Sequence, residues 1–293
     1  MHSRMSNAGR GAAFLPGDAI PVSAYSDLDR YLSAFAGGAL QLVMLLGRHG
    51  TGKTQRVKAA VGLSEPSANG HAVHPRVLYL GGHVSAFGLY QQLWNYRNCP
   101  VVIDDLDKLY AQPDCVRILK QLCDIAPTKH VTWCSHWTGR SVELPAAFDT
   151  TSSVILIANQ WRSLNADIHA LEDRALVIHF DPPNDELHEA VRTWFFDHEV
   201  HNFIGSLLPY IPRVSIRHYL KGKTLRHAGM RDWRATILRM LLPDSSLACV
   251  VRLQLDQSFV REKDRVEQFI SETGKSRPTY FRLKQQVKSH QTL

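Results

Sequence analysis

The chain has 293 residues, of which 44% are hydrophobic and 21% charged, and its formal net charge is +7. This composition is ordinary for a globular protein with a core, and the length suits two domains or one large domain with a satellite. The apolar run 41–46 is too short to span a bilayer, and the polar, glycine-rich start lacks the apolar core of a secretory signal. We therefore expect a cytoplasmic protein with no membrane partner. The positive charge favours a polyanionic partner.

Strands and helices alternate after a polar start. Residues 1–25 are rich in Gly, Ser and Ala and are predicted to be a flexible segment. Apolar residues at helical spacing predict a helix over 25–35, and Val/Ile/Leu-rich segments then alternate with helical ones. The predicted strands are 41–46, 76–82, 100–105, 153–159 and 176–182, and the helices between them are 53–62, 85–97 and 115–126. The alternation predicts an α/β fold, a three-layer αβα sandwich in which helices cover both faces of a parallel sheet.

Helical patterns replace strand patterns after Pro182-Pro183, which predicts a second, all-helical unit. We therefore place an α/β domain at 26–182 and a helical lid at 183–243. Residues 244–293 are predicted to be a linker followed by a small helical tail.

The most specific motif follows the first predicted strand. Residues 47–54 match G-x-x-x-x-G-K-[ST], the P-loop or Walker A motif, between a strand and a helix. Glycines let backbone N–H groups converge on phosphate oxygens, and the helix start adds partial positive charge. We expect Lys53 to contact the β- and γ-phosphates of ATP and Thr54 to coordinate Mg²⁺. The predicted nucleotide-binding residues are Gly47, His49, Gly50, Thr51, Gly52, Lys53 and Thr54.

A pair of carboxylates, Asp104 and Asp105, closes a strand about fifty residues beyond the P-loop. At that position we expect Asp104 to hold Mg²⁺ and Asp105 to orient the attacking water. A solvated strand end is the alternative. The five cysteines form no Cys-x-x-Cys pair, so neither a disulfide framework nor a zinc site is predicted.

The order of these motifs resembles the AAA+ family of ATPases over roughly residues 30–240. In that family the strand after the acidic one ends in a polar sensor, and Asn159 matches that position. The segment ALEDR is similar to the arginine-finger segment, which places Arg174 at the finger. The segment 214–219 is similar to the second sensor of the lid, which makes Arg217 a candidate γ-phosphate contact. For both arginines a surface salt bridge is the alternative.

The resemblance implies Mg²⁺-dependent ATP hydrolysis by a homo-oligomer, a ring or spiral such as a hexamer. In such an assembly Arg174 completes the site of the neighbouring subunit. The family usually carries Glu at the second acidic position, where this chain has Asp105. The shorter side chain implies slow hydrolysis or dependence on a stimulating partner.

Residues 129–144 predict a hairpin of two short strands around a Thr-Gly turn. It is similar to the hairpin that lines the central pore in one AAA+ branch. His136, Trp137 and Arg140 at its tip would then suit stacking on single strands. The alternative is an aromatic-rich loop packed on the core.

The segment 264–288 carries a second resemblance. A helix ending at Gly274 precedes a helix capped by Ser276, and G-K-S-R-P-T-Y-F-R is similar to the turn and recognition helix of resolvase-type helix-turn-helix proteins. Lys275 stands where an apolar residue normally packs, and the tail leaves little room for the usual third helix. The alternative is a basic helical tail without a DNA-binding role. The residues expected on the outer face are Arg277, Arg282 and Lys284.

Three functions are compatible with these motifs. The first is a DNA-associated ATPase with a role in replication initiation, helicase loading or transposition. The second is an ATPase that remodels proteins, with an unidentified protein partner. The third is a nucleotide-dependent assembly switch with little turnover. The basic tail favours the first.

Overall fold

The computed structural model describes residues 18–63, 77–104, 112–133, 144–159 and 171–289, with backbone alone for the last two. Contacts divide the chain into two compact units, the first ending at Asp181 and the second beginning at Pro182. Within the described ranges no helix is both long enough and apolar enough to cross a membrane.

The first unit is built on a parallel sheet with strand order β1-β8-β2-β7-β4-β3. A separate antiparallel pair is formed by β5 and β6. The strands are β1 (Ile20–Val22), β2 (Leu42–Leu46), β3 (Leu78–Gly81), β4 (Val101–Asp104), β5 (Lys129–Thr132), β6 (Ala147–Thr150), β7 (Val154–Ala158) and β8 (Leu176–Phe180).

Helices cover both faces of the sheet. The described helices of this unit are α1 (Tyr25–Ala36), α2 (Lys53–Ala60), α3 (Ala86–Asn95) and α4 (Pro113–Leu122). On one face Met44 of β2 belongs to a buried cluster with residues of α3 and α4. On the other face Phe180 of β8 contacts Tyr25 of α1, and α1 packs on α2. All five residues of β2 are buried, as a strand covered from both sides requires. The predicted three-layer α/β fold is confirmed.

The prediction that residues 1–25 form a flexible segment is wrong for its last part. Residues 20–22 form β1, which pairs in parallel with β8 through Ile20↔Ile178 and Val22↔Phe180. An edge strand needs backbone pairing along one side alone, so a three-residue strand containing Pro21 can form without a strong apolar pattern. Residues 1–17 lie outside the described ranges.

The predicted hairpin over 129–144 is displaced along the chain. Its first strand is β5, but the antiparallel partner is β6, with Lys129 opposite Thr150 and Thr132 opposite Ala147. The partner strand therefore lies beyond the predicted range. Its residue Phe148 is buried and packs against Tyr90, which favours this position for the strand. The predicted turn lies within 134–143, outside the described residues.

Among the described residues of the second unit, 182–289, helices are the only regular secondary structure. Its elements are α5 (Asn184–Arg192), α6 (His198–Leu207), a 3₁₀ turn (Leu208–Tyr210), α7 (Ile216–His227), α8 (Trp233–Leu241), α9 (Ser245–Leu255), α10 (Glu262–Thr273) and α11 (Arg277–Ser289). The linker predicted after Pro243 is not formed, because α9 already begins at Ser245. Asp244 caps this helix by accepting hydrogen bonds from the backbone N–H groups of Ser246 and Leu247.

The tail consists of three packed helices, and its resemblance to a DNA-binding helix-turn-helix stays a prediction. Gly274 ends α10 in the left-handed conformation, and α9 packs on both α10 and α11, so a third helix is present. Tyr280 of α11 is buried and donates a hydrogen bond to Glu262. Lys284, predicted to lie on the outer face, also pairs with Glu262. Its charge is therefore engaged within the tail.

A stacked histidine pair lies between α5 and α6. The rings of His188 and His201 are 3.8 Å apart, and the Tyr219 hydroxyl lies 2.8 Å from Nδ1 of His188. Burial, then His201 and Arg192, lower the pKa of His188 from its ordinary 6.5, against the opposite effect of Glu189. The neutral form of His188 is therefore favoured in the folded unit.

We expect the second unit to lose stability as the pH falls below about 6.5, because the unfolded chain then binds a proton that folded His188 resists. Unfolding followed by circular dichroism between pH 7.5 and 5.5 measures the slope. His188→Gln should flatten the slope in part, since burial also lowers the pKa of His218. His198→Gln, at an exposed position, should keep the full slope. Equal slopes for wild type and His188→Gln would contradict the assignment.

Candidate functional site

The carboxyl ends of three adjacent strands bring the predicted site residues together. β7 lies between β2 and β4, with Leu46 paired to Ala158 and Asp104 paired to Ile157. Gly47 and Asn159, the next residues of β2 and β7, therefore emerge side by side. In parallel α/β sheets this edge is where ligands bind.

The loop from Gly47 to Lys53 has a conformation that depends on glycine. Gly50 and Gly52 adopt φ of 73° and 85°, in the left-handed region that other residues rarely enter. Gly47 has a φ of 153°, which other residues also rarely adopt, and space is a further limit there, because a Cβ atom would lie 2.1 Å from the Phe180 carbonyl oxygen. The loop therefore passes against the end of β8 at a distance that no side chain permits.

Lys53, the first residue of α2, is 4% exposed and lies inside this loop. Its ammonium donates to the Gly47 carbonyl at 2.7 Å, the Arg48 carbonyl at 2.8 Å and the Asn159 Oδ1 at 3.1 Å. These acceptors compensate the burial of a charge that would otherwise be costly. Asn159, predicted as a sensor from its place in the sequence, is thus in direct contact with the P-loop lysine.

Thr54 is joined to the acidic strand. Its hydroxyl donates to Asp104 Oδ2 at 2.9 Å, and the Tyr79 hydroxyl of β3 donates to the same oxygen at 2.8 Å. Burial and the Asp104 carboxylate raise the pKa of Tyr79, so the phenol stays a donor at every physiological pH. A hydroxyl and a carboxylate oxygen at this spacing form a donor set that suits Mg²⁺.

Further side chains support the loop and were missed by the sequence reasoning. Arg48 Nε lies 2.7 Å from Asp181 Oδ1, which ties the loop to the residue after β8. The buried Tyr25 hydroxyl donates to the Thr51 carbonyl at 2.8 Å. Asp181 is a polar residue at a strand end, as Asp104 is, so the same rule could have predicted it. The role of Tyr25 could not have been predicted, because its place in the helical pattern indicates only a core residue.

The residues present fit a triphosphate with its magnesium ion. α2 begins without a side-chain cap and has no acidic residue in its first turn. Its first amide groups and the helix dipole therefore favour an anion, and no carboxylate of that turn opposes one. Lys53 supplies a cation, and Thr54 with Asp104 supplies oxygen ligands.

Arg174 lies away from this site in its own chain. It precedes β8 at the amino end, whereas the P-loop meets Phe180 at the carboxyl end, which is roughly 20 Å along the strand. Its guanidinium donates weakly to the Lys120 carbonyl at 3.4 Å and lies 3.8 Å from Asp124 Oδ1. The Arg174 side chain therefore faces the end of α4 and not the phosphate loop.

Three other predicted features stay predictions. Arg217 belongs to the second unit, where it is exposed in the first turn of α7. Asp105 lies outside the described residues, as do His136, Trp137 and Arg140 at the predicted hairpin tip. His49 is described within the loop and is exposed.

No family model matches the chain. An uncharacterized 36.7 kDa protein from the nrdC-mobD intergenic region of Enterobacteria phage T4 is 29% identical over 127 residues, which are 42% of this chain and 37% of the phage protein. The matched part thus spans little more than a third of that protein.

Two solved structures resemble the chain at low similarity. A DNA polymerase III gamma subunit-related protein of Thermotoga maritima is 10% identical, with 91% of this chain and 98% of that chain covered and a TM-score of 0.35. NtrX of Brucella abortus, in complex with ATP, is 12% identical, with coverages of 93% and 69% and a TM-score of 0.35. At these values neither structure supports an argument about what this chain binds or does.

We expect Gly47→Ala to lower affinity for a fluorescent ATP analogue at least tenfold, because the methyl group cannot fit beside the Phe180 carbonyl without moving the loop. Fluorescence anisotropy with Mg²⁺ measures the affinity. Gly38→Ala is the matched control. Gly38 has a φ of 78°, so alanine is strained there too, but nothing lies within 4 Å of the added atom. Comparable losses in both variants would show that strain, and not the close approach, is the cause.

Proposed function

We propose that this chain is a Mg²⁺-dependent ATPase of the AAA+ class. One observation carries the proposal: at one edge of the sheet, Lys53 contacts Asn159 while Thr54 contacts Asp104. These four side chains come from three different segments, and their roles in phosphoryl transfer are complementary. A chance match to the P-loop pattern would not bring the other two segments to it.

Each residue of the site has a distinct proposed role in ATP binding and hydrolysis. Lys53 neutralises charge on the β- and γ-phosphates, and the amide N–H groups of the loop bind the same oxygens. Thr54 and Asp104 would hold Mg²⁺, which when bound neutralises further phosphate charge. Asn159 can donate its amide N–H groups to the γ-phosphate or to the attacking water. Asp105 is the proposed group that orients that water.

Arg174 is proposed to act on a neighbouring subunit. Its position at the amino end of β8 puts it out of reach of the P-loop in its own chain. Its own-chain partners are long contacts of 3.4 and 3.8 Å, which are weak enough to exchange for a phosphate. This placement favours a homo-oligomer in which each site is completed by the next chain.

The polymer on which the ATPase acts is proposed to be DNA. The support is electrostatic, since the chain carries a net charge of +7 and helices follow the nucleotide-binding unit. Phosphate release measured with and without DNA separates this role from an assembly switch with little turnover.

We expect Lys53→Ala to weaken ATP binding about a hundredfold or more, because two or more charge-assisted hydrogen bonds to phosphate are lost. Anisotropy of a fluorescent ATP analogue measures this, and circular dichroism checks the fold. Lys263→Ala is the control. It removes the same charge from a side chain that is 80% exposed. Unchanged affinity in Lys53→Ala would remove the basis of the proposed function.

We expect Arg174→Ala to keep ATP affinity and lose most ATPase activity, because the finger acts in trans. Asp105→Asn should also bind ATP without turning it over. Mixing the two inactive variants should restore part of the activity, since some interfaces then join an intact Arg174 to an intact Asp105. Steady-state phosphate release across mixing ratios measures the rescue. Additive, unrescued activity at every ratio would argue against a shared site.

A further inference from the structure

We propose that α7 and the exposed ring of Phe196 form a binding surface for single-stranded nucleic acid, distinct from the C-terminal helices. The proposal rests on the proposed function only in taking a nucleic acid as the polymer. The observations behind it are the location of the excess charge, four described cations within it that form no internal hydrogen bond or ion pair, and an exposed aromatic ring beside them.

The positive charge of the chain is concentrated around α7. Residues 213–239 contain eight Lys and Arg and one Asp, a net charge of +7 that equals that of the whole chain. The tail segment 264–288 holds six Lys and Arg against three acidic residues, and two of those six, Arg265 and Lys284, pair with Glu262. A polyanion is therefore attracted to α7 more strongly than to the tail.

The arrangement of basic residues on α7 destabilises the helix. α7 contains no Asp or Glu, and Arg217 and Lys221 are four residues apart. Like charges at this spacing repel by about 0.2–0.5 kcal/mol per pair. Arg217 also lies in the first turn, where the helix dipole disfavours a cation. An anionic ligand along this face would remove these penalties.

Several of these cations are free to bind a ligand. Within the described part of the chain no hydrogen-bond or ion-pair partner is found for four exposed side chains, those of Arg217, Lys221, Lys223 and Arg231. The carboxylates nearby are already neutralised. Asp197 lies 3.2 Å from Arg226, and Glu199 pairs with both Arg226 and Arg234.

An exposed aromatic ring completes the surface. Phe196 is 81% exposed and lines a cavity of about 390 Å³ together with Lys223, Arg226 and His227. Asp197 and Glu199 also line this cavity, and both carboxylates pair with Arg226. A phenyl ring in water beside cations matches what single strands need, because bases stack on the ring while phosphates meet the cations. Duplex DNA offers no free base to stack, so the ring favours a single strand.

The test uses the full chain without nucleotide and a labelled thirty-nucleotide single strand, with binding followed by anisotropy. Lys221→Ala/Lys223→Ala/Arg231→Ala should bind about tenfold more weakly at 0.1 M salt. The slope of log affinity against log salt should become shallower by about 2, as expected for three lost phosphate contacts. Arg217 is left intact because the resemblance to the AAA+ family makes it a candidate γ-phosphate contact. Affinity for the ATP analogue should be unchanged, and an unchanged helical signal in circular dichroism should show that the second unit is folded.

Lys275→Ala/Arg277→Ala/Arg282→Ala is the matched control, with three exposed cations removed from the tail. It should retain nearly all affinity for the strand. If the control loses affinity and the α7 variant keeps it, the inference is overturned, while DNA as the polymer stands. If the wild type binds no nucleic acid but binds anionic vesicles, both the inference and the proposed DNA role fall, while ATP binding is judged by Lys53→Ala alone.

Phe196→Ala tests the aromatic part. It should weaken single-strand binding about tenfold and leave duplex binding unchanged, since one stacked base is lost. Phe281→Ala, at a 37% exposed ring on α11, is the control and should bind as the wild type does. Equal losses on single strand and duplex would contradict stacking on Phe196.

Discussion

The buried ammonium of Lys53 is the interaction on which the first unit depends. It lies where three segments meet and is held by two carbonyl oxygens of its own loop and by the amide oxygen of Asn159. A charge buried to this extent is stable only when acceptors surround it. The loop must therefore curl around the side chain, which in turn requires the glycines at 50 and 52 and the close approach of Gly47 to β8.

The strand order explains why distant residues share this site. β7 follows β4 in the chain but is inserted between β4 and β2 in the sheet. The residue after β7 is thereby placed next to the P-loop, while Asp104 lies one strand further out, within reach of Thr54. The strand order alone therefore brings polar residues from the ends of three strands into one site. The same geometry leaves Arg174 at the opposite edge.

The fold and the centre of the site were predictable because their signals are local. Val/Ile/Leu-rich strands and the P-loop residues are visible in short windows, and Asp104 follows from a strand end. Asn159 was predicted from the resemblance to the AAA+ family. Tyr25 and Tyr79 were not predictable, since their roles depend on the hydroxyl meeting an atom 25 or 26 residues away. The short strand β1 and the shifted strand β6 were missed because edge pairing and the packing of Phe148 decide them, and neither leaves a periodic pattern.

The basic surface of the second unit could not be located from net charge. A sequence gives the number of charged residues but does not show which of them already form ion pairs. From composition the tail looked like the basic part of the chain, with Lys284 among its outward cations. In the folded tail Glu262 engages both Lys284 and Arg265. On α7 the acidic residues nearby are held by Arg226 and Arg234, so Lys221 and Lys223 keep their full charge toward solvent. A polyanion responds to charges that are not already neutralised. The count of basic residues and the distribution of ion pairs together decide which surface of the second unit attracts it.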